Sequence, residues 1–242
     1  HRVARRTSHV ARRMSHVAPP RRSSHVARRP TASLVARRTS PHRVACRINA
    51  PMWNFIKHNF AVRGWQRLLY ALIFILLAWQ LSRFWGNWKG SCGCASIFYV
   101  IHAPIHEIGH TVVGLLCSSR TAIVLAGSVF QILTPVCVMA YFAWHKDYPA
   151  ISLGLGWLGF ATSEMGIYMY DANIGQLNLV TPFMDASDLE GDFTVLFRTW
   201  NCLESGCRIG EITVGIGYAL VFAALAMIIF MLALGFLVPP ER

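Results

Sequence analysis

Residues 96–117 read SIFYVIHAPIHEIGHTVVGLLC. The stretch is apolar over nearly the length needed to cross the roughly 30 Å hydrocarbon core of a bilayer. It also contains His106-Glu107-Ile108-Gly109-His110, an HExxH motif. On a helix, His106 and His110 lie one turn apart on one face, so two imidazoles can grip one metal ion. Glu107 projects beside them, where it can take a proton from water activated by that ion. HExxH arises by chance in many proteins. Within an apolar span, however, two histidines and a glutamate are costly to bury unless they are paired or ligated. That favours a metal site over a set of incidental polar residues.

Four further apolar stretches flank this one, at about 66–86, 121–144, 149–170 and 212–238. The expected fold is therefore an all-α, polytopic membrane helical bundle of about five transmembrane helices, with HExxH on the second. The short link Ser118-Ser119-Arg120 makes the second and third spans an antiparallel hairpin. A polar segment at about 171–210 separates the last two. Trp65, Trp79, Trp85, Trp88 and Trp144 fall near span ends, as in an interfacial aromatic belt. Gly154, Gly156, Gly159 and Gly166 in the fourth span, and Gly215 and Gly217 in the fifth, permit close helix contact. Lys57, Arg63 and Arg67 precede the first span, against Arg83 and Lys89 after it, a bias toward a cytoplasmic N-terminus with the polar segment inside.

Composition agrees with a membrane protein. The chain of 242 residues is 54% hydrophobic and 14% charged, too apolar for an ordinary soluble domain. Its formal charge of +12 is unevenly spread. Residues 1–51 hold 13 Arg and no acid, whereas 52–242 hold 10 Lys+Arg against 11 Asp+Glu, a net of 10 − 11 = −1. The basic part, 1–51, repeats variants of His-Val-Ala-Arg-Arg without any apolar face. It reads as a disordered leader, native or not, before a working domain at 52–242. A basic arm for anionic lipid is the functional reading of it. Nucleic-acid binding would rest on this leader alone and is not expected. Of the seven cysteines, Cys92 and Cys94 form a CxC. Cys202 and Cys207 flank a polar loop and are a candidate disulfide in an oxidising compartment.

Catalytic zinc normally takes three protein ligands and leaves one position open. His102, one turn before His106, is either a third ligand or a supporting residue. The latter is preferred because Pro104 perturbs the helix between them. Carboxylates that could complete the site are Glu164, Asp171, Asp185, Asp188, Glu190 and Asp192.

His106-Glu107-Ile108-Gly109-His110-Thr111, followed by Ala126-Gly127-Ser128-Val129-Phe130-Gln131 and Pro135, resembles the core of site-2-protease-type intramembrane zinc metalloproteases. The M50B-like membrane proteins of bacteria are the more similar branch. The resemblance covers about residues 100–200. It implies a multi-pass protein of the bacterial inner (cytoplasmic) membrane that binds Zn2+ and hydrolyses peptide bonds in or near transmembrane segments of membrane-protein substrates. Glu107 would be the catalytic base, His106 and His110 metal ligands, and Gln131 the carboxamide that orders substrate backbone or the reacting water. A later Asp completes the metal site in that family. Its usual Asn-Pro…Asp-Gly context is missing here, and Asp192 is preferred over Asp171. The glycines of the fourth span and the 171–210 segment would form parts of a gate.

Two alternatives come from other classes. One is a membrane protein whose zinc site serves stability, transport or sensing without proteolysis. The other is a small ion transporter with Glu164, Asp171 and the histidines along its path. The absence of an inverted repeat argues against the second. The ligand types suit zinc and also accept cobalt or iron.

Overall fold

A computed structural model describes residues 41–85, 88, 96–177 and 190–237, and every regular element among them is helical. In chain order these are α1 (Pro41–Phe60), α2 (Trp65–Phe84), α3 (Tyr99–Leu116), α4 (Arg120–Trp144), α5 (Tyr148–Asp171), α6 (Asp192–Thr199) and α7 (Gly206–Leu237), with a 3-10 turn at Leu203–Ser205. Leader residues 1–40, Lys89, Cys92, Cys94, Asp185 and Asp188 lie outside the described residues. The boundary expected at 51/52 falls inside α1, which runs through Pro51 and Met52 as one helix.

Each of the five apolar stretches folds as one helix. Three of these helices are long and apolar enough to cross a membrane: Trp65–Phe84, Arg120–Trp144 and Leu203–Leu237. The expected count of about five spans is therefore met only in part. The reason is compositional. In α3 three histidines and Glu107 offset the aliphatic residues, and α5 carries four glycines together with Glu164 and Asp171.

Local chemistry sets the starts of α4 and α5. Ser119 Oγ accepts the Ala122 N–H at the head of α4. Asp147 Oδ1 accepts the Ala150 N–H at 3.2 Å, and Pro149 occupies the first turn of α5. Both are favoured N-terminal arrangements, because they satisfy donors that the helix itself cannot.

The centre of the bundle is the α5–α7 seam. A Cβ on Gly159 would lie 2.8 Å from both Gly217 O and Val221 N, and one on Gly166 would lie 2.6 Å from Val214 N. The glycines let two backbones touch, where dispersion contacts do the work of adhesion. They serve packing here. Gly217 shares this seam, whereas a Cβ on Gly215 would meet nothing within 4 Å. Tyr70, Leu77, Leu81 and Phe84 of α2 close over Phe160 of α5 and Val221, Leu225, Ile228 and Met231 of α7. The Arg67 guanidinium donates to the Val62 and Gly235 carbonyls and ties α2 to the end of α7.

The helix α3 packs chiefly on α4. A Cβ on Gly109 would lie 2.5 Å from Ala126 O, so the second glycine-mediated contact falls inside the HExxH motif itself. Elsewhere α3 presents Val100, Leu115 and Leu116 outward. Outward apolar faces recur on α2 (Leu68, Leu72, Ile75) and α7 (Ile212, Ile216, Ile229), while Trp65, Trp85 and Trp144 are exposed at helix ends. An apolar surface this extensive would be unfavourable in water. Cys202 and Cys207, the candidate disulfide, are free thiols.

Candidate metal centre

The two motif histidines arrive from one face of α3, with ring centroids 4.6 Å apart and planes at 80°. Asp192 arrives from the first turn of α6. Its Oδ2 lies 2.8 Å from His106 Nε2 and 3.1 Å from His110 Nε2. One ligand atom from each of the three residues lies within 4.8 Å of the others. The short helix that delivers Asp192 follows Gly191 and is pinned by Phe193, Leu196 and Phe197, which pack against Val124, Leu125, Met165, Tyr168 and Met169. Burying each of these three side chains is worth about 1.5–3 kcal/mol. An acid in the first turn and Arg198 in the last also suit the helix dipole.

The far side of each imidazole is held. His106 Nδ1–H donates to Gln131 Oε1 at 3.3 Å, and His110 Nδ1–H donates to the Ile123 carbonyl at 2.8 Å. With both Nδ1 atoms acting as donors, both Nε2 lone pairs point at the shared position. Metal-ligating histidines use such partners to set tautomer and orientation. Burial pushes the Asp192 carboxyl up, but the adjoining His106 and His110 imidazoles outweigh it and hold the group below its ordinary value.

The floor of the site is Gly127 of α4. A Cβ there would lie 2.5 Å from His110 Nε2 and 2.6 Å from His106 Nε2. The space where the nitrogens converge exists because position 127 has no side chain. Two imidazoles, one carboxylate, fixed second partners and an open floor fit a divalent ion of the zinc type.

Glu107 is exposed beside this point, and its charge reaches His110 and Tyr168. Ile101, Ile108 and Val112 of the same helix are also exposed and apolar.

No family model, curated protein or solved structure matches the chain.

The other expected site residues lie elsewhere. His102 is fully buried, accepts the Trp157 indole N–H on Nε2 at 2.6 Å and donates from Nδ1 to Glu164 Oε2 at 2.5 Å. Glu164 Oε1 also accepts the Ser96 N–H at 2.8 Å. Both ring nitrogens of His102 are therefore engaged, and the group clamps the start of α3 to α5. As ligands, His102 and Glu164 are both spoken for. Asp171 closes the end of α5 by accepting the Gln176 and Leu177 N–H groups, at 2.8 and 3.0 Å. Glu190 pairs with Arg198 and, at 3.9 Å, with Arg120.

Gln131 is buried, and its carboxamide binds His106 on one side and the Ala161 carbonyl on the other. In this arrangement it orients a histidine. Two residues escaped the reading of the sequence. In the sequence Gly127 stands out only as part of a glycine-bearing segment. Tyr168, whose ring stands 6.4 Å from that of His106, carried no signal beyond its place on α5.

Proposed function

We propose that the chain is a zinc metalloendopeptidase embedded in a membrane, acting on peptide bonds in or near transmembrane segments of other proteins. The observation that carries the reading is the convergence of His106 Nε2, His110 Nε2 and Asp192 Oδ2 beside an exposed Glu107. A purely structural ion site has no use for that glutamate. Zinc held by the three ligands would supply Lewis acidity to water and to the scissile carbonyl. Glu107 takes a proton from the attacking water as its oxygen bonds the carbonyl carbon. It returns that proton to the amide nitrogen as the C–N bond breaks. His106 and His110 are kept in place for this by Gln131 and Ile123.

In this reading α3 and α5 cross the bilayer together with α2, α4 and α7, making five spans. The support is geometric. With 24 residues, α5 is about 36 Å long, and it runs along α7 through their glycine seam. The 18 residues of α3 give about 27 Å. The exposed apolar residues that α3 carries beside its motif, Ile101, Ile108 and Val112, favour an apolar stretch of polypeptide as substrate. Placement in a bacterial inner membrane rests on the resemblance of the HExxH and Gly127–Gln131 segments to the M50B-like proteins.

The test is metal content of the full chain purified in detergent, for the wild type, His110→Ala and Glu107→Gln. About one zinc per chain in the wild type and in Glu107→Gln, lost in His110→Ala, is expected. A well-folded wild type without metal would sink the proposal. Proteolysis is read separately, by comparing membrane-protein fragments in cells producing wild type or Glu107→Gln. Identical fragment patterns with zinc retained would favour the non-proteolytic zinc protein.

A further inference from the structure

We infer that Tyr168 is a second catalytic group of this site, its hydroxyl donating a hydrogen bond to the carbonyl oxygen that gains negative charge as water attacks. This rests on the peptidase reading above. The phenol oxygen accepts the Asp192 backbone N–H at 3.1 Å, and the Asp192 carboxylate meets both histidines. One residue thus joins the hydroxyl to the point where the three ligands converge. The ring is fixed on two sides, edge-on to His106 and edge-on to Phe193 at 5.5 Å and 87°. Its hydroxyl is also within electrostatic reach of both Asp192 and Glu107.

The imidazole donors at the site are already used. His106 Nδ1–H goes to Gln131 and His110 Nδ1–H goes to Ile123 O, while one Gln131 amide N–H goes to Ala161 O. Tyr168 is different. Its oxygen accepts a bond, and among the described residues no acceptor takes its hydrogen. A donor already held in position costs no reorganisation when charge develops nearby, which is the requirement for stabilising an oxyanion. Gln131, the group expected from the sequence to order substrate, is occupied in orienting His106. Tyr168 takes the substrate-facing role.

The experiment uses the full chain loaded with cobalt(II) in detergent, with acetohydroxamate as the oxygen-donor probe and the cobalt absorption band as readout. Tyr168→Phe keeps the ring and removes the hydroxyl. It should hold as much cobalt per chain as the wild type and bind acetohydroxamate at least about tenfold more weakly, the loss expected for one charge-assisted hydrogen bond. An unchanged acetohydroxamate affinity would overturn the role. Loss of cobalt from Tyr168→Phe would also overturn it, making the phenol a support for Asp192. A wild type that takes up no cobalt or zinc would instead bring down the metallopeptidase reading, and the role of Tyr168 with it.

Discussion

Gly127 sits where His106 Nε2 and His110 Nε2 converge, and a methyl group there would stand 2.5–2.6 Å from both. Gly127→Ala puts carbon in the space an ion would use, while alanine is about 1 kcal/mol better than glycine in a helix interior. That propensity gain is set against displacement of two imidazoles held by Gln131 and Ile123, so the variant should stay helical by circular dichroism and lose zinc, read as metal per chain. Zinc retained at the wild-type level would show that the ligands meet elsewhere. Gly109 makes a contrasting case inside the same motif. Its missing Cβ faces the Ala126 backbone, so Gly109→Ala forces α3 off α4. A loss of about 1–3 kcal/mol is expected, visible as a lower unfolding midpoint. In the sequence both positions read as small residues. Which one makes room for an ion and which for a helix depends on what lies opposite.

At the scale of elements, α6 decides which carboxylate joins the histidines. Spacing alone leaves both Asp192 and Asp171 open, and the preference for Asp192 rests on a resemblance. Asp171 accepts two backbone N–H groups at the end of α5, whereas α6 carries Asp192 against α4 and α5 by three buried apolar side chains. Asp192→Ala should abolish zinc binding, and Asp171→Ala should leave zinc unchanged while loosening the end of α5. The opposite pattern in metal analysis would reassign the ligand. The His102–Glu164–Trp157 clamp belongs to this scale as well. Glu164→Ala strands the His102 Nδ1–H and the Ser96 N–H, each costing about 1–3 kcal/mol if left unpaired. A thermal melt should show the loss, and a midpoint equal to the wild type would mean that α3 is anchored by α4 alone. The five long helices were legible because apolar runs of that length have few other fates. The eight-residue α6 was not, since so short an amphipathic segment forms only against a surface that the sequence does not display.

Across the whole molecule, the proposed ligands come from α3 and α6, which are separated in sequence by the whole of α4 and α5. An ion bound to them favours the folded over the unfolded chain by an amount set by occupancy, about 4 kcal/mol at a thousandfold excess over the dissociation constant. Chelator should therefore lower the unfolding midpoint of the wild type and leave His110→Ala unmoved. Equal shifts in both would detach stability from this site. The α5–α7 seam supports the same assembly from behind, since Tyr168 and Glu164 hang from α5 and are only as well placed as its glycines allow. A Gly159→Leu chain should fail to assemble as a monodisperse species in detergent.

From the sequence alone came the helical class, the five apolar stretches and their near-boundaries, the HExxH pair with its glutamate, and the acids eligible to complete it. Those follow from periodicity and spacing, which are local. The choice of Asp192, the use of Gln131 and Ile123 to aim the imidazoles, the engagement of His102 by Trp157 and Glu164, the floor at Gly127 and the presence of Tyr168 were decided by tertiary structure. Each depends on two or more helices meeting at one point. A polar side chain's role is set by which partner reaches it first, and a linear sequence does not order those encounters.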